Sequence, residues 1–338
     1  METQSKKIAV LILNWNGREL LERFLPSIVE NNSSNADVIV IDNASTDNSV
    51  AFIKEAYPHI QCIEFKENYG FALGYNKAIE LVPHEYVVLL NSDVRVGSNW
   101  LQAPLDFLES NKSYAACQPK ILDEKDSDKF EYAGACGGYI DLFGYPFCRG
   151  RIFDNLEFDK GQYDSVKDVF WASGAALFVR RAEYIETGGL DASFFAHQEE
   201  IDLCWRLLNK GLKIACVPQS TVYHLGGASL DKAHPRKTFL NFRNNLVMLL
   251  KNLPLYALPI ILFRLILDGI AGAKFISEGK FSHCFAIVKA HFSFYSRIPV
   301  VLIKRRRTRK IESSIKYKKS ILIQYYFLKN KKFCQLKW

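Results

Sequence analysis

Four short apolar runs, residues 8–13, 38–41, 60–65 and 86–90, alternate with segments of helical periodicity along about the first hundred residues of this 338-residue chain. Runs this short and this rich in Val, Ile and Leu suit strands buried on both faces. Their alternation with helices predicts a parallel sheet with right-handed crossovers. The intervening segments carry the matching apolar faces: Leu20, Leu21, Phe24, Leu25 and Ile28 on the first, Val50, Ile53 and Ala56 on the second, Ala72, Tyr75 and Ile79 on the third. Ser45 or Thr46 can cap the second helix, and Gly70 permits the tight turn into the third. No G-x-G-x-x-G follows the first run, which argues against a dinucleotide-binding fold.

In such a sheet ligands gather at the carboxyl ends of the strands. Asn14 and Trp15, Asp42, Asn68 and Asp93 stand at those ends, side by side if the strands are parallel. The set suits a nucleotide. Trp15 can border the base, Asp42 can accept hydrogen bonds from base or ribose, and Asp93 can hold a divalent cation against a diphosphate. Taken singly, each residue also has a plain structural reading: Trp15 as core, Asp42 and Asp93 as helix caps.

Charge divides the chain. Residues 1–231 carry 21 Lys and Arg against 33 Asp and Glu, net −12, whereas residues 232–338 carry 23 against 3, net +20. A basic part of this kind points to an anionic membrane surface or nucleic acid. Residues 239–263 are heavily apolar but interrupted by Pro254 and Pro259, with Arg264 and Asp268 just beyond. They read as amphipathic helices, either lying on a membrane surface or packed on the first part. The run KRRRTRK at 304–310 beside them suits anionic headgroups better than base stacking, so a membrane partner is expected and a nucleic-acid partner is not. The cysteines at 62, 117, 136, 148, 204, 216, 284 and 334 form no CxxC or zinc spacing and read as thiols of a reducing compartment. IAVLIL is too short for a signal-peptide core, so the start of the chain is expected in the cytoplasm. Residues 123–164, rich in Gly, Asp and aromatics, read as a loop or small hairpin region; regularity returns at 169–180, 199–209 and 212–217.

LILNWNG, VIVIDNASTDNS, ENYGFALGYNKA, YVVLLNSDV, FWASGAALFVRR, GGLDASFFAHQEEIDLCWRLLNKG and VYHLGGAS occur in that order over residues 8–230. In these pieces the chain resembles family 2 glycosyltransferases, in particular the bacterial branch with rhamnosyl- and related transferases of cell-surface polysaccharide assembly. The resemblance implies a GT-A fold, an α/β architecture with a mostly parallel sheet flanked by helices. It also implies a nucleotide-sugar donor, a divalent cation (Mg²⁺ or Mn²⁺) and inversion at the anomeric carbon. It assigns Asn14, Trp15, Asp42, Asn68, Gly70, Asn76, Asn91, Ser92 and Trp171 to the nucleotide-sugar site, with Trp171 either a sugar platform or core. Asn91-Ser92-Asp93 matches the family's metal-binding DxD with Asn in first place, leaving Asp93 as the main carboxylate. Glu199-Glu200-Ile201-Asp202 matches ED-x-D, whose second acid is the general base; Glu200 holds that place and Glu199 competes for it. Without the resemblance both glutamates read as first-turn helix acids. His224 matches a histidine that joins the metal or diphosphate in some relatives, or is structural. The expected whole is a catalytic part, residues 1–231, and a basic helical membrane-associating part, residues 232–338. This would be an enzyme at the inner face of the cell membrane that glycosylates a lipid-linked glycan. A metal-dependent nucleotidyltransferase is the alternative, although NWNGREL is not its glycine-rich phosphate loop.

Overall fold

The computed structural model describes residues 6–226, 234–305, 311 and 314–338. The four apolar runs are strands: β1 (Ile8–Asn14), β2 (Ala36–Asp42), β3 (Gln61–Glu64) and β4 (Tyr86–Asn91). Between them run α1 (Arg18–Glu30), α2 (Ser49–Ala56) and α3 (Gly70–Glu80). The pairings are parallel, β1 with both β2 and β4, and β2 with β3. Alternate side chains of β1 and β4 enter opposite core layers: Ala9, Leu11, Val87 and Leu89 on one face, Ile8, Val10, Ile12, Tyr86, Val88 and Leu90 on the other. That two-sided burial is why these strands are continuously apolar.

Beyond β4 come β5 (Val94–Val96), α4 (Gln102–Ser110) and β6 (Tyr114–Asp123), followed by a second, antiparallel sheet of β7 (Gly138–Ile140), β8 (Pro146–Cys148), β9 (Arg151–Ile152) and β10 (Asn155–Leu156). The chain then forms β11 (Lys167–Asp168), β12 (Ala176–Arg180), α5 (Arg181–Thr187), α6 (Glu199–Asn209) and β13 (Lys213–His224). The main sheet has the order β11-β13-β6-β12-β4-β1-β2-β3, with β5 on β13. It is mixed, because β12 runs antiparallel to both β4 and β6.

Three helices close the fold: α7 (Pro235–Asn252), α8 (Pro259–Ser277) and α9 (Phe281–Lys304). They differ in character. From Arg243 to Asn252 every residue of α7 is buried, the pattern of a core helix. Lys251 donates to Asp202 and Asp191 and Asn252 donates to Asp202, each at 2.8 Å, locking α7 onto α6. α8 and α9 instead leave Leu262, Phe263, Ile266, Ile270, Phe285 and Phe292 largely exposed. By length and composition alone, Leu255–Ser277 and Phe281–Lys304 are each able to cross a membrane. α8 nevertheless buries Arg264 and Asp268 on its inner side, paired at 2.7 Å, so it has one polar-lined and one apolar face. The final residues fold back, with Tyr317, Phe333 and Trp338 packed on Tyr139 and Phe147 of the small sheet. Residues 306–310 of the basic run, and Gly227 onward in VYHLGGAS, lie outside the described residues.

Candidate active site

The parallel register places Asn14 opposite Asp42 and Leu13 opposite Asn91, so three strand ends meet as the spacing predicted. They border a cavity of about 2050 Å³ that reaches α6, α7 and α8. Single-ligand pockets span roughly 300–1,000 Å³, so this one has room for two substrates.

At the end nearest β1 and β2, Trp15 lines the cavity and is 58% exposed. Asn14 and Asp42 stand behind that wall rather than in it. The Asn14 amide donates to Asp42 Oδ1 at 3.2 Å and to Ser45 Oγ at 3.1 Å, and the Ser45 N–H donates to Asp42 Oδ2 at 2.9 Å. Asp42, 3% exposed, thereby shapes the loop after β2. Asn14 Oδ1 is buried without a partner beside Gly17, where a Cβ would approach it to 2.6 Å. Asn68 accepts from the Gly70 N–H and from the Asn43 amide, and Asn43 accepts from the Tyr69 N–H. These bonds hold Asn68 and Gly70 on the cavity wall, Gly70 at φ +70°. Asn76 is not there. Its amide is consumed by Leu190, donating to the carbonyl at 2.8 Å and accepting from the N–H at 2.9 Å, with Tyr184 Oη donating at 2.6 Å.

Asn91, Ser92 and Asp93 all line the cavity. His224, the last residue of β13, brings Nε2 to 3.1 Å from Asp93 Oδ1 and 3.3 Å from the Asn91 amide nitrogen. Its Nδ1 lies 3.4 Å from Glu131 Oε1 without forming a hydrogen bond. Burial disfavours the imidazolium, but the Glu131 and Asp93 carboxylates outweigh it and push His224 up to about 10. The two carboxylates favour the protonated ring, so Nε2 must give up its proton before it can ligate a metal. Among the described residues no three His, Cys, Asp or Glu side chains converge as a cage for a metal. The donor set still fits an ion that keeps water and phosphate oxygens in its shell, as Mg²⁺ and Mn²⁺ do: the cavity-facing Asp93 carboxylate and, 3.1 Å from its Oδ1, His224 Nε2.

The third wall is the turn into α6. Phe195, His197 and Gln198 have φ of 68°, 69° and 71°, left-handed conformations that side chains other than glycine adopt at a cost. α7 supplies what holds them. Asn244 donates to the carbonyls of Phe194, Ala196 and His197, Arg243 donates to Phe194, and Asn245 donates to Gln198 Oε1. The turn presents Glu199 and Glu200 to the cavity, each with a buried carboxylate oxygen that has no protein partner. Burial raises both; Glu200 is pushed up to about 7, while Glu199, buried and repelled by Glu200, rises well above its usual value. Glu200 therefore ionises first. Trp171 is 3% exposed, with Nε1 donating to the Tyr139 carbonyl at 3.0 Å and its indole so close to Gly138 that a Cβ there would overlap it; only part of the ring reaches the cavity.

Glu131, Asn43 and Asn244 escaped sequence reading. Glu131 lies in the Gly- and aromatic-rich stretch where no periodicity exists, and Asn244 is one polar residue in an apolar run. Asn43, directly after Asp42 at a strand end, carried a positional signal.

A mostly parallel sheet flanked by helices, with one large cavity at its strand ends, is the architecture of the GT-A fold. Solved structures of this fold agree. GalNAc-T7 with UDP, GalNAc and Mn²⁺ superposes with a TM-score of 0.59 at 13% identity, covering 88% of this chain and 58% of that one. The mannosyltransferase PcManGT of Pyrobaculum calidifontis with GDP-Man and Mn²⁺ gives 0.55 at 15%, covering 87% and 88%. Residues 9–162 match the family described as Glycosyl transferase family 2, and the chain, which carries that domain, is a glycosyltransferase. It is 26% identical over 258 residues to the N-acetylglucosaminyl-diphospho-decaprenol L-rhamnosyltransferase of Mycobacterium tuberculosis, covering 69% of this chain and 83% of that protein. It is 23% identical over 215 residues to the rhamnosyltransferase WbbL of Escherichia coli, covering 60% and 79%.

Proposed function

We propose that this chain transfers a sugar, with inversion, from a nucleotide-sugar donor to a hydroxyl of a lipid-linked glycan at the inner face of the cell membrane. The observation that carries the reading is the opposition, in one cavity, of Asp93 at the end of β4 and the partnerless carboxylate oxygens of Glu199 and Glu200 at the start of α6. On this reading donor chemistry belongs to one wall and proton transfer to another. Residues 1–231 hold donor and reacting atoms; residues 232–338 form the membrane-meeting part, with α7 as the piece that braces the reactive turn.

In this reading Trp15 borders the base, the loops fixed by Asn14–Asp42 and by Asn43–Asn68–Gly70 shape the nucleoside end, and Asn91, Ser92 and Asp93 face the diphosphate. Asp93, with His224 beside it, would hold a divalent cation. Such an ion neutralises the charge that gathers on the departing nucleoside diphosphate. Glu200 takes the acceptor hydroxyl proton as that oxygen attacks the anomeric carbon and the bond to the donor phosphate breaks. Glu199, held protonated by burial and by its neighbour Glu200, donates a hydrogen bond to acceptor or donor sugar. The lipid-linked acceptor rests on the mycobacterial relative's name and on the exposed apolar faces of α8 and α9.

The test is a screen of nucleotide-sugars with Mg²⁺ or Mn²⁺, following release of nucleoside diphosphate. Asp93→Ala should abolish transfer, Glu200→Gln should lower it by about 10²–10⁴-fold, and only Asp93→Ala should weaken cation-dependent donor binding. Release of pyrophosphate would instead mark a nucleotidyltransferase.

A further inference from the structure

The fold buries several arginines, and all but one have their charge met by oxygen. Arg206 donates to Asp202 and two carbonyls, Arg264 to Asp268, Arg243 to Asn244 and the Phe194 carbonyl, and Arg149 to three carbonyls. Arg151 on β9 is different. It is 6% exposed, yet it donates to Cys148 Sγ at 3.3 Å and sets its guanidinium over the Tyr132 ring at 4.4 Å. Its Nε has no partner, and among the described residues no carboxylate lies within ion-pair distance. A buried cation left this way costs several kcal/mol unless an anion comes to it. Arg151 lines the same cavity as Asp93 and Glu200.

Next to Arg151 the cavity changes character. Its wall passes through Phe153 and Leu156 of the small sheet to Ala271 on α8 and to Ile323 and Tyr326 of the returning C-terminal segment. Tyr326 packs on Phe153 at 5.7 Å, closing that side. On α8 this lining continues directly into Ile270, which both borders the cavity and belongs to the exposed apolar face with Ile266 and Phe263. A largely apolar passage, with Lys274 over the Tyr326 ring at 5.2 Å, thus runs from the surface that would meet lipid to a buried, unpaired guanidinium in the cavity that also holds Glu199 and Glu200.

We propose that Arg151 binds the diphosphate of a prenyl-diphosphate-linked acceptor and that the passage between α8, β9–β10 and the C-terminal segment holds the first prenyl units. The order of parts matches such an acceptor: saccharide at Glu200, diphosphate at Arg151, hydrocarbon toward the α8 surface. A guanidinium suits it because two parallel N–H groups grip a phosphate at once. The inference rests on the lipid-linked reading above, and the same chemistry is offered by the donor's own diphosphate, so the two sources must be separated.

The experiment measures equilibrium binding of geranylgeranyl diphosphate, and separately of nucleotide-sugar donor with Mn²⁺, to the full-length protein in detergent. Transfer to a prenyl-diphosphate-linked saccharide and to the same saccharide as a free sugar is followed in parallel. Arg151→Met removes no ion-pair partner and Ala271→Phe narrows the passage from a different element; unchanged circular dichroism and melting establish that each folds. Each variant should weaken geranylgeranyl diphosphate binding and raise the KM for the lipid-linked acceptor by about tenfold or more, with donor binding unchanged. Arg151→Lys should recover part of the loss. The proposal is overturned if Arg151→Met weakens donor binding instead, or if both variants bind geranylgeranyl diphosphate as the wild type does. Should wild type transfer only to the free saccharide and bind no geranylgeranyl diphosphate, the lipid-linked reading itself fails; should it use the lipid-linked acceptor with Arg151→Met unaffected, only the present inference does.

Discussion

Two adjacent glutamates on one helical turn cannot both be ionised cheaply when each has an oxygen buried without a partner. In the proposed mechanism the pair divides the work: burial pushes Glu200 up to about 7, so that it ionises in the working range, and Glu199, raised further, stays an acid. Because the reactive form of Glu200 is the carboxylate, kcat/KM for the acceptor should climb with pH, bend near 7 and level off above it, as a rate profile at saturating donor will record. Glu200→Gln should lower kcat by about 10²–10⁴-fold. Glu199→Gln, which keeps a hydrogen-bond donor in place, should lose far less and leave the bend near 7, since the carboxylic acid it replaces is uncharged while Glu200 ionises. The reverse ranking would move the base assignment to Glu199. Sequence alone placed both acids in the right segment but left them ranked by resemblance; their burial decides the ranking, and burial depends on a helix more than forty positions away.

That helix, α7, links stability to catalysis at the level of elements. Its Asn244 saturates the backbone carbonyls of a turn whose left-handed residues would otherwise relax, and its Lys251 neutralises Asp202 inside the core. The two residues should therefore fail differently. Lys251→Met leaves Asp202 and Asp191 short of a partner in a buried network and should cost roughly 3–5 kcal/mol, read as a lowered midpoint in chemical unfolding. Asn244→Ala should cost less stability but depress kcat at unchanged donor KM, because the turn can then swing both glutamates away from the acceptor. The apolar run at 239–263 was legible as helix, and its amphipathic description fits the α8 face. It did not separate α7, buried all round, from α8, because both are apolar and only packing tells a core face from a lipid face.

For the molecule as a whole, the acidic reacting part and the basic apolar part are joined through α7, while α8 and α9 turn apolar side chains outward. Their exposed residues make the membrane contact testable without removing the brace. Phe263→Glu with Phe285→Glu should release the protein from anionic vesicles in co-sedimentation while leaving transfer to a free saccharide intact. Retention on the vesicles would mean that α8 and α9 do not provide the contact.

Local periodicity and residue order determined a good deal by themselves. The four leading strands, their parallel order and the place of Asp93 at a strand end all follow from buried runs alternating with helical faces, since period and length are properties of the chain. The family, too, was readable from motifs kept in sequence. Only the tertiary structure turned Asn76 toward Leu190 and drew Asp42 behind the cavity wall. It also brought Glu131 to His224, left Arg151 without a counter-ion and folded the C-terminal segment over the small sheet. Each of these is a contact between residues distant along the chain, and which groups meet, lose water and shift their charge is set by packing that no local pattern encodes.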